Sequence, residues 1–184
     1  MTPLHEVIIN KKTTINPIWI MRQAGRYLPE FREIRKKNPN FIELCLNQKL
    51  SSEITLQPIK RFDLDAAIIF SDILMLPYGL NQKVEFKKNF GPILGDLNIN
   101  LMSKIDEIDF VERIYPVYKA INSVSLEMKL KNKNTIGFVG APWTLLVYMI
   151  NQQSPKKTVK KDFFKDDFLI NRILLIIEKF LKIH

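Results

Sequence analysis

Three short apolar runs constrain this chain more than any other feature: Ile18 to Met21 (IWIM), Ala66 to Phe70 (AAIIF) and Ile136 to Val139 (IGFV). None alternates polar with apolar residues, so none reads as a strand with one wet face. Such runs belong to parallel strands buried on both sides. Helical sequence follows each one: PEFREIRKKN and FIELCLNQKLSSEITLQPIKRF after the first, DFVERIYPVYKAINSVSLEMKLK after the second, PWTLLVYMI after the third. Strand then helix, three times over, predicts βα units and an α/β fold.

Between the second run and its long helix lies VEFKKNFGPIL, residues 84 to 94, where Gly91 and Pro92 predict a hairpin or excursion in a βα loop. The lysine-rich SPKKTVKK at 154 to 161 reads as a linker or loop. The last segment, DFLINRILLIIEKFLKIH, carries apolar residues at 168, 169, 170, 173, 174, 176, 177, 180 and 181. That broad stripe needs a wide partner surface, and no further sequence follows to supply one. A parallel barrel needs eight strands and typically about 250 residues, so the expectation is a single, incomplete barrel domain over 1–184.

Composition fits one core or part of a larger one: 46% hydrophobic and 26% charged over 184 residues. The formal net charge of +9 points to something anionic, whether nucleic acid, a membrane surface or a polyacidic small molecule. Much of the excess is lysine scattered through 129 to 161 and 179 to 182, the pattern of a solvated surface. The start MTPLHEVIIN lacks a basic segment followed by a long apolar run, and stretches such as LLIIEKFLKI are charge-interrupted and short of a bilayer span, which places the expected protein in the cytosol. Cys45 alone allows no internal disulfide framework. No HExxH, paired-histidine or CxxC spacing supports a metal, and no GxGxxG or GxxxxGK[ST] supports a phosphate loop. KRF and KKDFFK interleave basic and aromatic residues, but no nucleic-acid module accompanies them.

In a parallel α/β sheet, ligands meet the carboxyl ends of the strands. There the chain places Arg22, Gln23 and Arg26, then Ser71 and Asp72, then Pro142, Trp143 and Tyr148, expected around one mouth. A guanidinium suits a carboxylate because its planar fork donates two parallel hydrogen bonds, and Gly25 between the arginines lets backbone approach a ligand. Spacing alone leaves a second reading open, in which Arg22 pairs with an internal acid such as Asp72 or Glu30. Asp72 is either a helix cap with Ser71 or a functional carboxylate. Tyr148 is either core packing or a hydroxyl awaiting a partner.

Read together, the strand ends resemble the uroporphyrinogen decarboxylase family. MRQAGRYLPEFR (21 to 32) resembles its first signature, IIFSDILMLPYGL (68 to 80) its second-strand motif and GFVGAPWTLLVYMI (137 to 150) its third block, with EITLQPIKRF and FGPIL also fitting. The likeness covers roughly residues 10 to 150. After Met149 the chain departs from the family, reading INQQSPKK where an acidic residue and glycines are common.

The resemblance implies a (β/α)8 TIM barrel, of which this chain is expected to hold the first three βα units and an N-terminal segment. It implies a homodimer without metal or organic cofactor, acting on a tetrapyrrole with eight carboxylates and not on nucleic acid or membrane. Four acetate groups of uroporphyrinogen each lose CO2 to give coproporphyrinogen. Carried over residue by residue, the substrate-binding segment falls on Arg22, Gln23, Ala24, Gly25 and Arg26, the central aspartate on Asp72 and the third-block tyrosine on Tyr148. Asp72 and Arg22 are the expected catalytic residues, and because the family's later substrate-binding hydroxyl residue and histidine have no counterpart within 1–184, the fragment is expected to be inactive alone. Two other readings are a corrinoid-linked methyltransferase of the same barrel, against which MRQAGRY argues, and a non-catalytic remnant or basic anion-binding protein.

Overall fold

Prolines mark several helix starts, since a fixed φ and a missing N–H cost nothing in a first turn. Pro3 opens α1 (Pro3–Ile8), Pro29 opens α2 (Pro29–Lys37) and Pro142 opens α8 (Pro142–Asn151). The computed structural model describes residues 1–155 and 165–184. The remaining helices are α3 (Phe41–Cys45), α4 (Gln48–Arg61), α5 (Met75–Gly79), α6 (Ile99–Met102), α7 (Glu107–Leu130) and α9 (Asp167–Ile183). Strands are β1 (Ala66–Ile68), β2 (Val84–Lys87), β3 (Gly91–Leu94) and β4 (Asn134–Ile136). The lysine-rich loop expected at 154–161 lies, from 156 onward, outside the described residues. No helix among the described residues is long and apolar enough to cross a membrane.

The chain divides into two units. The first comprises Met1–Pro39, Glu43–Ser71 and Pro116–Phe138. Its centre is a parallel pair, β1 with β4, in register Ala66↔Asn134, Ala67↔Thr135 and Ile68↔Ile136. Ala120, Val124 and Met128, four apart on α7, lay one apolar stripe against Leu56 and Ile59 of α4 and Ala67 of β1. The other side of α4 turns Ile54 and Leu50 toward Leu28 and Phe31, and the Phe31 and Phe70 rings meet edge-on at 5.8 Å. Two of the three expected strands, and the parallel pairing between them, are therefore present. Among the described residues the strands do not close into a barrel.

The run Ile18 to Met21 is corrected by the structure: it forms no strand, Met21 already lies in a turn, and all four residues are exposed. One backbone bond ties it to the β1 edge, from Asp65 N–H to Ile18 O at 2.8 Å. The neighbouring links are made by side chains, with Asp65 Oδ2 accepting from Ile18 N–H at 2.7 Å. A ladder interrupted by side chains does not propagate. The third strand is likewise displaced, ending at Ile136 and leaving Phe138 and Val139 exposed. The single long helix expected over 41–62 breaks at Leu46 and Asn47, because the Asn47 side chain accepts from Leu50 N–H at 3.0 Å and caps α4.

The second unit comprises Asn40–Ile42, Asp72–Tyr115 and Val139–His184. The hairpin expected at 84–94 forms from antiparallel β2 and β3, with Asn89 at φ 66° and Gly91 at φ 86° turning the chain. Gln82 joins hairpin to helix: its amide nitrogen donates to Gly95 O at 2.9 Å and to Met149 O at 3.0 Å. The centre of the broad stripe on α9 does find cover, contrary to expectation, while Phe168 stays exposed. Ile170, Ile173, Ile177 and Phe180 are buried, α9 packs on α8 and α5, and the Phe110 and Phe180 rings lie 4.7 Å apart.

Candidate active site

Within the first unit, residues 22–26 form a turn between the exposed segment and α2. Gln23 is 2% exposed, and its side-chain amide does the work of missing ladder bonds: Oε1 accepts from Ile20 N–H at 3.3 Å while Nε2 donates to Ala66 O at 3.0 Å. Ala24 packs against the Leu28 cluster, which seats the turn on the core. Gly25 O accepts from Leu28 N–H at 3.0 Å, closing the turn. The Tyr27 hydroxyl donates to Gln23 O, and partial burial pushes its pKa up, so it stays a protonated donor. Arg22 and Arg26 are exposed, and among the described residues neither guanidinium makes an ion pair or hydrogen bond. Glu30, one of the internal acids weighed for Arg22, is held instead by Arg61.

The same unit fixes the strand end that leads to Asp72. Thr55 Oγ1 accepts from Phe70 N–H at 2.8 Å and donates to Ser51 O at 2.7 Å, while Ser51 Oγ donates to Phe70 O at 2.7 Å. Both backbone groups of Phe70, two residues before Asp72, are thus captured by α4. Sequence reasoning missed this clamp. Its signal is two small hydroxyls four apart on a helix face that is otherwise buried.

In the second unit Asp72 shapes the turn before α5 without being that helix's N-cap, which is Leu74. Its Oδ1 accepts from Leu74 N–H at 2.9 Å and its carbonyl accepts from Met75 N–H at 3.1 Å, a local turn that starts α5. Oδ2 makes no hydrogen bond among the described residues of that unit. Burial pushes the carboxyl pKa up, opposed by the Leu74 N–H. Gly140, just before α8, leaves room for the residue after Asp72: a Cβ there would stand 3.1 Å from Ile73 Cβ. Tyr148 is half-buried on α8 between the fully buried Leu145 and Met149 positions, and its carbonyl accepts from Gln152 N–H at 2.9 Å. Among the described residues no group of three or more His, Cys, Asp or Glu side chains is placed to hold a metal ion. The two units therefore present an arginine-bearing turn and a half-buried carboxylate respectively, types suited to gripping carboxylates and to opposing a developing cation.

The family model described as uroporphyrinogen decarboxylase (URO-D) matches residues 1–183. The uroporphyrinogen decarboxylase of Agrobacterium fabrum is 48% identical over 145 residues, covering 78% of this chain and 42% of the relative. That of Rickettsia felis is 42% identical over 160 residues, covering 86% and 46%. That of Campylobacter jejuni is 39% identical over 183 residues, covering 97% and 54%. The chain spans about half the length of the curated relatives it matches.

Proposed function

Because this chain belongs to the uroporphyrinogen decarboxylase family, we propose that it serves the removal of CO2 from the four acetate side chains of uroporphyrinogen III, giving coproporphyrinogen III in porphyrin and haem biosynthesis. The observation that carries the reading is the Arg22–Arg26 turn: two exposed guanidiniums without partners among the described residues, on backbone anchored by Gln23. An octacarboxylate is the anion such a turn suits. In the proposal the chain belongs to a (β/α)8 barrel architecture that works as a homodimer in the cytoplasm, with neither nucleic acid nor membrane as partner.

The chemistry gives each residue a role. Direct loss of CO2 from a pyrrole-acetate leaves a carbanion with no sink for its electron pair. Protonating a ring carbon first makes an iminium-like ring; the C–CO2 bond then breaks, its electrons flow into the ring, and a proton added at the exocyclic carbon with loss of the ring proton yields a methyl group. Asp72, accepting from pyrrole N–H groups, opposes the positive ring. At about 4 Å and an effective dielectric near 20 that attraction is roughly 4 kcal/mol, worth about a thousandfold in rate. Burial that makes a bare Asp72 anion costly strengthens its pairing with that cation. Arg22 and Arg26 grip rim carboxylates and supply orientation, with Arg22 the one in catalytic contact. Gln23, Ala24 and Gly25 shape the turn, and the Tyr148 hydroxyl holds a further carboxylate or supports Asp72.

The test has two readouts: titration with uroporphyrin III, the stable oxidised octacarboxylate, and coproporphyrinogen formation from freshly reduced substrate. Arg22→Ala and Arg26→Ala are expected to weaken binding, and Asp72→Ala, made in an enzyme of the family's full length, to abolish CO2 release with the fold intact. Wild-type binding in both arginine variants overturns the reading.

A further inference from the structure

Oxygens, not guanidiniums, are the hazard in the arginine turn. A tight backbone turn exposes carbonyl lone pairs, and a carbonyl aimed at an approaching carboxylate repels it. In the first unit every carbonyl from Gly25 to Tyr27, and that of Gln23, is occupied. Tyr27 Oη–H donates to Gln23 O, Leu28 N–H to Gly25 O at 3.0 Å, and one Arg32 nitrogen, Nη1, donates to both Arg26 O at 2.9 Å and Tyr27 O at 3.3 Å. Arg32 stands in the first turns of α2, and its own N–H bonds to Leu28 O at 3.2 Å. One end of that side chain is fixed by the helix while the other reaches back over the turn.

We propose that Tyr27 and Arg32 are positioning residues for the Arg22–Arg26 turn, holding the carbonyls of Gln23, Arg26 and Tyr27 on internal donors so that these oxygens do not oppose an anionic ligand. The proposal rests on the octacarboxylate reading and extends it to two residues that touch no substrate. Arg32 acts through its donor nitrogen, whose charge at the carbonyls of Arg26 and Tyr27 also offsets their negative ends. Tyr27 acts through its hydroxyl; its ring, 6.3 Å from that of Phe62, holds the hydroxyl in place.

The experiment is uroporphyrin III titration of the 184-residue chain, followed by tryptophan quenching, together with hydrogen exchange at the amides of residues 22–28. Tyr27→Phe removes a donor without changing charge, Arg32→Met removes donor and charge, and Arg32→Lys returns both. Each lost hydrogen bond is expected to weaken binding about 2- to 10-fold and to speed exchange in the turn, at a melting temperature within a few degrees of wild type. Arg32→Lys should recover most of the affinity. Wild-type affinity in Tyr27→Phe and Arg32→Met, while Arg22→Ala and Arg26→Ala lose theirs, overturns the positioning role and leaves the octacarboxylate reading standing. Wild-type affinity in all four overturns the octacarboxylate reading itself.

Discussion

Arg61 holds Glu30 through two parallel hydrogen bonds, Nε to Oε1 at 3.1 Å and Nη2 to Oε2 at 2.9 Å. The pair ties the start of α2 to the end of α4, and it takes Glu30 away from Arg22. Glu30's carboxyl is held below its ordinary pKa by its own backbone N–H and by Arg61. The first expected outcome is a contrast between two arginines, Arg22 and Arg61. Arg22→Ala should weaken uroporphyrin III binding by about 10- to 150-fold, the equivalent of one lost charge-assisted contact of about 1.5–3 kcal/mol. Arg61→Ala should leave affinity unchanged and lower stability slightly, because the pair it breaks is partly exposed. Equal loss of affinity in both variants would mean that overall charge, not the turn, attracts the ligand.

Asp72 predicts a pH dependence of definite sign. Burial raises its folded-state pKa above the unfolded one, with the Leu74 N–H opposing. The folded state thus keeps a proton at pH values where the unfolded chain has lost it, so stability falls as pH rises from the unfolded to the folded pKa and then levels. Asp72→Asn keeps an oxygen for Leu74 N–H and has no charge to desolvate. It should melt higher than wild type at neutral pH, and the gap should close as pH falls below the ordinary aspartate range. Thermal unfolding from about pH 3 to about pH 8 reads this directly. A constant gap across that range removes desolvation as the cause.

What could be read from residues alone divides by range. Pro29, Pro142 and the Gly91 turn announce local geometry, and the structure follows them. The run Ala66 to Phe70 also supplies a buried strand over its first three residues, since a fully apolar segment fits a position covered on both sides. The same logic fails at Ile18 to Met21, because whether cover exists is a property of what packs nearby, which an apolar pattern does not encode. Gln23 is the sharpest case: as sequence it is one polar residue in a ligand-binding signature, but its amide is spent bridging Ile20 and Ala66. A side chain standing in for a strand bond is visible only once the strand is in place.

Ser51 and Thr55 act on one backbone residue, and that makes their effects non-additive. Thr55→Val leaves the Phe70 N–H without its acceptor in a buried site, at an expected cost of about 1–3 kcal/mol. Ser51→Ala removes the donor to Phe70 O, which still belongs to the same peptide neighbourhood. In urea unfolding the double variant should lose less than the sum of the singles, since the first loss already frees Phe70 to move. Strict additivity would show that the two hydroxyls stabilise α4 itself and do not hold the strand end.

Gly79 offers a steric prediction in the second unit. A Cβ there would stand 2.6 Å from Phe110 Cε2 and 2.8 Å from Cδ2, closer than carbon atoms approach. Phe110 is fully buried and already packed on Phe180 at 4.7 Å, so its ring has no free space into which to retreat. Gly79→Ala should therefore destabilise by about 1–3 kcal/mol through overpacking. Gly137→Ala, where nothing lies within 4 Å of the added carbon, should stay within about 0.5 kcal/mol of wild type. Trimming the obstructing ring separates sterics from helix propensity: Phe110→Leu in the Gly79→Ala background should cost less than Phe110→Leu alone. If Phe110→Leu costs the same in both backgrounds, the close approach of Gly79 to that ring is not what the glycine is for.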